Sequence, residues 1–232
     1  KNAKLTKVGK KVETENKMMQ ICFVGRPNVG KSSLVNALIG QEKVIVSEIA
    51  GTTRDSTDTP ISFNKEDFNL IDTAGLRRRG KREVGIEKFS AIRSIGAVER
   101  CDVACLLIDA EEGVKSQDCH VAEYILEKQK GLIIVANKLD LLEKGEEEKE
   151  KIIRQLQRKF SFVPWAPVVF TSAKNKKNVT KIFDLAVEID KERKKRIPTA
   201  ELNNFIQQSA SKHHASTIGK DSPKIFYANQ VA

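Results

Sequence analysis

No run of apolar residues in this 232-residue chain approaches the roughly 18 that a membrane-spanning helix requires, so no membrane partner is expected. The lysine-rich start has no apolar stretch behind it, so no secretory signal is predicted. The 4 cysteines contain no C-x-x-C pair, which argues against both a disulfide framework and a zinc site. Cys22 and Cys105 sit in strand-like runs, where a buried thiol behaves as a small hydrophobe. Together these absences predict a reducing, cytoplasmic setting. There is also no initiating Met; the first residue is Lys1, and the sequence reads as a fragment. His213 and His214 have no Cys or carboxylate at ligand spacing, so they read as a surface pair.

What is present in excess is positive charge, formally +10 from 41 Lys and Arg against 31 Asp and Glu. That balance fits either a polyanionic partner, nucleic acid above all, or plain solvation. Residues 1–17 are rich in Lys and Glu with few apolar positions and read as a linker or tail. A charge run from Lys191 to Arg196, followed by Pro198, marks a boundary. It divides a main domain, 18–195, from a terminal piece, 196–232, too short for a comfortable core of its own.

The main domain is built around Gly25-Arg26-Pro27-Asn28-Val29-Gly30-Lys31-Ser32. The apolar run 21–24 precedes it, and Ser33 to Ile39 follows with apolar residues at helical spacing. Strand, glycine-rich turn and helix form the context of a phosphate-binding loop. Its backbone N–H groups and the helix N-terminus cradle phosphate oxygens, Lys31 reaches the terminal phosphates, and the Ser32 hydroxyl ligates Mg²⁺.

Downstream, the spacing predicts strands at 60–63 and 67–71 around an Asn64-Lys65-Glu66 turn, and a strand or extended segment over 43–49. Buried strands are predicted at 103–108 and 132–136, and another at 167–170. Helices are predicted around 86–98 and over 117–129, 146–160 and 178–193, with a loop from Leu76 to Gly85. The alternation implies a doubly wound, mostly parallel α/β sheet with its ligand at the strand carboxyl ends. Thr199 reads as a cap for a short helix, and 224–227 as a strand.

Every polar motif falls at such a strand end. Asn137-Lys138-Leu139-Asp140 selects the base: Asp140 accepts from the ring N–H and exocyclic amine of guanine, a donor pair adenine lacks. Asn137 bonds the base and braces the loop, and the Lys138 stem covers the ring. A backbone N–H of Ser172-Ala173-Lys174 meets the guanine carbonyl. In Asp72-Thr73-Ala74-Gly75, Asp72 holds Mg²⁺ through water and the Gly75 N–H meets the γ-phosphate. Thr53, next to Thr52, closes over the metal.

These motifs resemble those of the translation-factor-like GTPases. Gly-Arg-Pro-Asn-Val-Gly-Lys-Ser, Gly51-Thr52-Thr53-Arg54-Asp55, Asp-Thr-Ala-Gly-Leu-Arg-Arg and Asn-Lys-x-Asp are similar to the Era/TrmE/EngA branch. Segments 196–203 and 224–231 are similar to the opening of the KH-like domain of the EngA (Der) family. The resemblance implies a P-loop GTPase fold followed by a partial KH-like α+β domain. It implies GTP and GDP binding with Mg²⁺, and a role in assembly of the large (50S) ribosomal subunit with rRNA as partner. It also implies a preceding GTPase domain that this sequence does not contain. The terminal piece has no clear Gly-x-x-Gly, so protein contact there is as well founded as RNA binding.

Ras-like enzymes place a Gln after Asp-x-x-Gly to orient the attacking water; here the residue is Leu76, with no polar group. In the resembled branch an Asn in the phosphate loop is associated with a K⁺ ion in place of an arginine finger, and Asn28 holds that position. K⁺-stimulated hydrolysis follows as an expectation. Arg77, Arg78, Arg79, Lys81 and Arg82 either contact rRNA phosphates or form a solvated loop. Two rival functions stay open: a low-turnover, guanine-nucleotide-dependent docking module, and a GTPase of tRNA modification. The second lacks the C-terminal catalytic Cys motif.

Overall fold

The computed structural model describes residues 18–46, 57–77, 95–142, 145–212 and 225–231. The chain divides into two compact units, Lys1–Asp190 and Lys191–Ala232.

The first unit is a seven-stranded sheet with helices on both faces. In chain order it comprises β1 (Met19–Val24), α1 (Lys31–Ile39), β2 (Val44–Val46), β3 (Thr59–Phe63), β4 (Glu66–Leu70) and α2 (Thr73–Arg77). A helical stretch over 95–100 is α3. Then come β5 (Val103–Asp109), α4 (Ser116–Glu127), β6 (Gly131–Asn137), α5 (Glu146–Lys159), β7 (Val168–Phe170) and α6 (Lys181–Arg193). The strand order is β2-β3-β4-β1-β5-β6-β7. Neighbours pair in parallel except β2 with β3 and β3 with β4. The mostly parallel P-loop sheet expected from the motifs is therefore the fold observed.

The pleat explains the two cores. Ile21 and Phe23 of β1, with Cys105 and Leu107 of β5, face a layer containing Leu34, Leu38 and Phe183 of α1 and α6. Cys22, Val24, Leu106 and Ile108 face the layer formed by Ala122, Ile125, Ile152 and Leu156 of α4 and α5. β5 and β6 are buried at every position, which is why both read as unbroken apolar runs. Phe183 packs on Phe63 and Phe68 with ring centroids 5.2 and 4.9 Å away. Burial of such a ring contributes about 1.5–3 kcal/mol. Cys22, Cys101 and Cys105 are wholly enclosed, and the Cys101 thiol donates to Val98 O at 3.3 Å.

The β3–β4 hairpin turns on two residues, Asn64 and Lys65, both with positive φ (51° and 69°). This is the two-residue geometry whose twist matches the strands. Glu66, expected in the turn, pairs with Phe63 instead. Leu76 and Arg77, expected in a loop, end α2, which only Ile71 and Asp72 separate from β4. α5 opens on Glu146, Glu147 and Glu148 and closes on Arg158 and Lys159, in the sense that complements the helix dipole. The predicted helix around 86–98 is described only from residue 95, and Arg78, Arg79, Lys81, Arg82, Thr52 and Thr53 lie outside the described residues.

The second unit contains α7 (Thr199–Lys212), none of whose residues is buried. Thr199 is not the flanking cap: Leu202 N–H already donates to Pro198 O at 3.0 Å, so Thr199 lies inside the first turn. The predicted strand at 224–227 is not seen; residues 225–231 have no regular structure. The Asn203 side-chain amide does the pairing a neighbouring strand would do. Its Oδ1 accepts from Ala228 N–H at 2.8 Å and its Nδ2 donates to Ala228 O at 2.9 Å. Gln230 likewise accepts from Ile197 N–H at 2.8 Å and donates to Lys195 O at 3.1 Å.

Candidate functional site

The phosphate loop leaves β1 at Gly25 and enters α1 at Lys31. Its curvature depends on two glycines. A Cβ on Gly25 (φ 141°) would lie 2.4 Å from Leu107 O; one on Gly30 (φ 95°) would lie 2.3 Å from Asn137 Nδ2. Asn28 is the loop's left-handed non-glycine residue (φ 64°), and it and Pro27 are exposed. Val29 is buried and anchors the loop. The Lys31 ammonium folds back over the loop and donates to Gly25 O at 2.8 Å and Arg26 O at 2.6 Å. Ser32 and Ser33 occupy the first turn of α1, which has no side-chain cap. That end of the helix presents N–H groups and positive dipole to the loop.

Arg26 does not face the loop's interior. Its Nε donates to Asp118 at 3.0 and 3.2 Å and its Nη1 to Glu112 at 2.8 Å. Burial works against the guanidinium charge, but the bonds to Glu112 and Asp118 outweigh it and hold the Arg26 pKa above its ordinary value. Asp118, fully buried, also accepts from Lys115 N–H at 2.9 Å and so fixes the start of α4. Arg26 therefore ties the loop to α4, where the motif alone assigned it to the ligand.

At the ends of β5 and β6, Asp109 and Asn137 are register partners. Asn137 is buried at 1% exposure, and both polar atoms of its side chain bond inside the protein. Nδ2 donates to Val29 O at 3.0 Å, while Oδ1 accepts from Thr171 Oγ1 at 3.1 Å and from Ala173 N–H at 3.2 Å. The bracing part of its expected role is what the geometry displays. The Ala173 N–H, expected at the guanine carbonyl, points to this oxygen. Lys138 (φ 68°) extends its ammonium to Asp109 Oδ2 at 2.6 Å, leaving its stem half-exposed. Asp140 sits in a short 3₁₀ turn, Leu139–Leu141, and accepts from Ser172 Oγ at 2.5 Å. Leu139 N–H donates to Thr171 O at 3.0 Å, and Lys174 is exposed. Three motifs spread from residue 25 to residue 174 thus meet at the carboxyl end of the sheet.

Asp72, Thr73 and Ala74 are gripped by residues 57–59, and Gly75 lies within α2. Leu76 packs against the core of the α1 face, an apolar role that accounts for its identity. Thr53 lies outside the described residues. Asp109, Asp118 and Thr171, each tied to a loop residue, carry no role in the motif reading. The signal available for Asp109 was its place as the polar end of a buried strand. Among the described residues there is no group of three or more His, Cys, Asp or Glu side chains arranged to hold a metal. No described helix is long and apolar enough to cross a membrane.

Residues 20–138 match the family described as 50S ribosome-binding GTPase. The chain is similar to GTPase Der of Herpetosiphon aurantiacus, at 45% identity over 96% of this chain and 49% of that protein. It is 47% identical to GTPase Der of Chloroflexus aggregans over 93% of this chain and 48% of that one. It thus spans about half the length of the curated relatives it matches. Among solved structures it is similar to Era in complex with MgGDPNP and nucleotides 1506–1542 of 16S ribosomal RNA. There the TM-score is 0.57 with 26% identity, over 75% of this chain and 57% of that one.

Proposed function

Because the chain belongs to the family of 50S ribosome-binding GTPases, we propose that it hydrolyses GTP to GDP and phosphate as a switch in assembly of the large ribosomal subunit. The observation that carries this reading is the Asn137 side chain. It joins Val29 of the phosphate loop to Thr171 and Ala173 beside Asp140, so phosphate and base determinants form one structure.

In this reading Lys31, Gly25 and the backbone of Arg26 to Ser33 hold the β- and γ-phosphates. Asp140, braced by Ser172, accepts from guanine, with Lys138 and Lys174 alongside the base and the Ala173 N–H exchanging Asn137 Oδ1 for the base carbonyl. Ser32, Thr53 and Asp72 hold Mg²⁺. They are hard oxygen donors, the type that suits Mg²⁺. When bound, the ion neutralises charge on the β- and γ-oxygens. Thr73, Ala74, Gly75 and Leu76 form the turn that follows the γ-phosphate. The family supports a ribosomal partner. A 50S substrate with rRNA contacts, a cytoplasmic location, a KH-like piece at 196–232 and a GTPase domain preceding residues 1–17 are parts of the proposal.

The test is binding of GDP against ADP, repeated with Asp140→Asn. GDP selectivity is expected, lost or shifted toward xanthine nucleotides in the variant. Equal binding of both nucleotides by the parent refutes the base assignment.

The packing of Leu76 favours a second reading, a docking module with negligible turnover, because no polar side chain there orients water. Single-turnover hydrolysis in K⁺ and in Na⁺ separates the two. With Asn28 exposed at the loop's rim and holding K⁺, faster hydrolysis in K⁺ is expected. Equal rates remove the K⁺ site, and no hydrolysis in either salt leaves the docking module. Co-sedimentation with ribosomal subunits separates both from a tRNA-modification role.

A further inference from the structure

Asp72 directly follows the last strand-bonded residue: Ile71 N–H donates to Ile21 O at 2.8 Å, and the chain then turns with Asp72 at φ 54°. That conformation is uncommon for a residue with a side chain, although Asp adopts it more readily than most, and here it is held by its neighbours. Those neighbours are residues 57–59. Thr57 O accepts from Ala74 N–H at 2.9 Å and from Thr73 Oγ1 at 3.2 Å. The hydroxyls of Thr59 and Thr73 meet at 2.5 Å in a buried contact. Between them Asp58 Oδ1 accepts from Asp72 N–H at 2.9 Å.

The Asp58 carboxylate is 1% exposed. Its other oxygen takes the Arg100 guanidinium of α3 and the Asn69 amide, the latter at 3.4 Å. A buried carboxylate is costly unless paired and hydrogen-bonded, and this one is saturated by a cation, an amide and the Asp72 backbone. Nothing in the motif reading uses Asp58 or Arg100.

We infer that Asp58, backed by Arg100, is a positioning residue that fixes the Asp72 backbone and thereby presents the Asp72 carboxylate to Mg²⁺. The inference rests on the nucleotide-binding reading above. Asp58 touches neither nucleotide nor metal; it acts through the backbone bond at Asp72. The pairing with Arg100 holds the carboxylate aimed at that N–H.

The experiment titrates Mg²⁺ against the affinity of the full chain for a fluorescent non-hydrolysable GTP analogue, with a parallel measurement in EDTA. The variants are Asp58→Ala, Arg100→Gln and Arg100→Lys. Asp58→Ala and Arg100→Gln are expected to raise the Mg²⁺ concentration at half-effect about tenfold, the scale of one charge-assisted bond. Affinity in EDTA is expected to stay within about twofold, and Arg100→Lys to recover most of the shift. A purely structural role would instead lower EDTA affinity and thermal stability together, and that result overturns the inference. Should Asp58→Ala not fold, Arg100→Gln carries the test alone, since that side chain is 41% exposed. An unchanged Mg²⁺ midpoint in the folded variants overturns the positioning role and leaves the nucleotide reading intact. A parent chain that binds no analogue, or binds it without regard to Mg²⁺, removes both.

Discussion

At the proposed guanine end, shape is held by side chains: Asn137, Thr171 and Ser172, all buried, bond one another's loops and the Asp140 carboxylate. At the phosphate end Arg26 and Asn137 tie the loop to its surroundings, but its own curvature is set by backbone: Gly25 and Gly30 pass where a Cβ would collide, and the Lys31 ammonium rests on the loop's own carbonyls. The contrast follows from what each end must distinguish. Rejecting the wrong base depends on leaving a fixed polar group unpaired, so the acceptors must be pinned beforehand. A phosphate is recognised by charge and by N–H groups that any nucleotide meets equally, so there the loop needs only its curvature.

The largest effect expected in testing this contrast comes from Asn137→Ala, which strands Val29 O, Thr171 Oγ1 and Ala173 N–H at once. Loss of about 3 kcal/mol of folding stability is expected, read by denaturant unfolding, with GDP affinity reduced about a hundredfold or more by calorimetry. Gly30→Ala comes next. It combines a positive φ with a collision at Asn137 Nδ2, and about 1–3 kcal/mol is expected. The smallest and most discriminating quantity is their coupling. Because the Gly30 collision is with Asn137 itself, Gly30→Ala should cost less once Asn137 is Ala. Additivity within about 0.5 kcal/mol would show the two ends to be independent and would break the comparison.

Much of this was legible because each motif is contiguous and sits at a strand end. The apolar runs of β1, β5 and β6 by themselves place the loops 25–32 and 137–140 at the carboxyl ends of the strands. What stayed hidden are partners distant in sequence. Asp118 is 92 positions from Arg26 and Asp58 is 42 from Arg100, and neither belongs to a motif of its own. The Arg26 side chain's bonds to Asp118 and Glu112 are not legible in the motif, because spacing shows which residues form a loop but not which way a side chain leaves it. The stretch 225–227 has the β-branched and aromatic residues of a strand, yet strand formation needs a pairing edge, and Asn203 supplies the only one described for Ala228. Thr199 was misplaced by one turn position, the usual uncertainty where a helix starts beside Pro.

The enclosed cysteines carry a consequence for alkali and for thiol reagents. Burial pushes the Cys105 thiol far above its ordinary value of 9.0. The bond to Cys101, followed by burial, raises Cys22 in the same direction. Above pH 9 an unfolded chain sheds these protons while the folded one retains them. Their contribution is therefore complete below that pH and drains away as it climbs toward the raised values. Alkylating reagents consume only the thiolate. At neutral pH these sulfurs on and beside the central strands therefore stay silent until the middle of the sheet opens, and their rate of labelling becomes a clock for that opening.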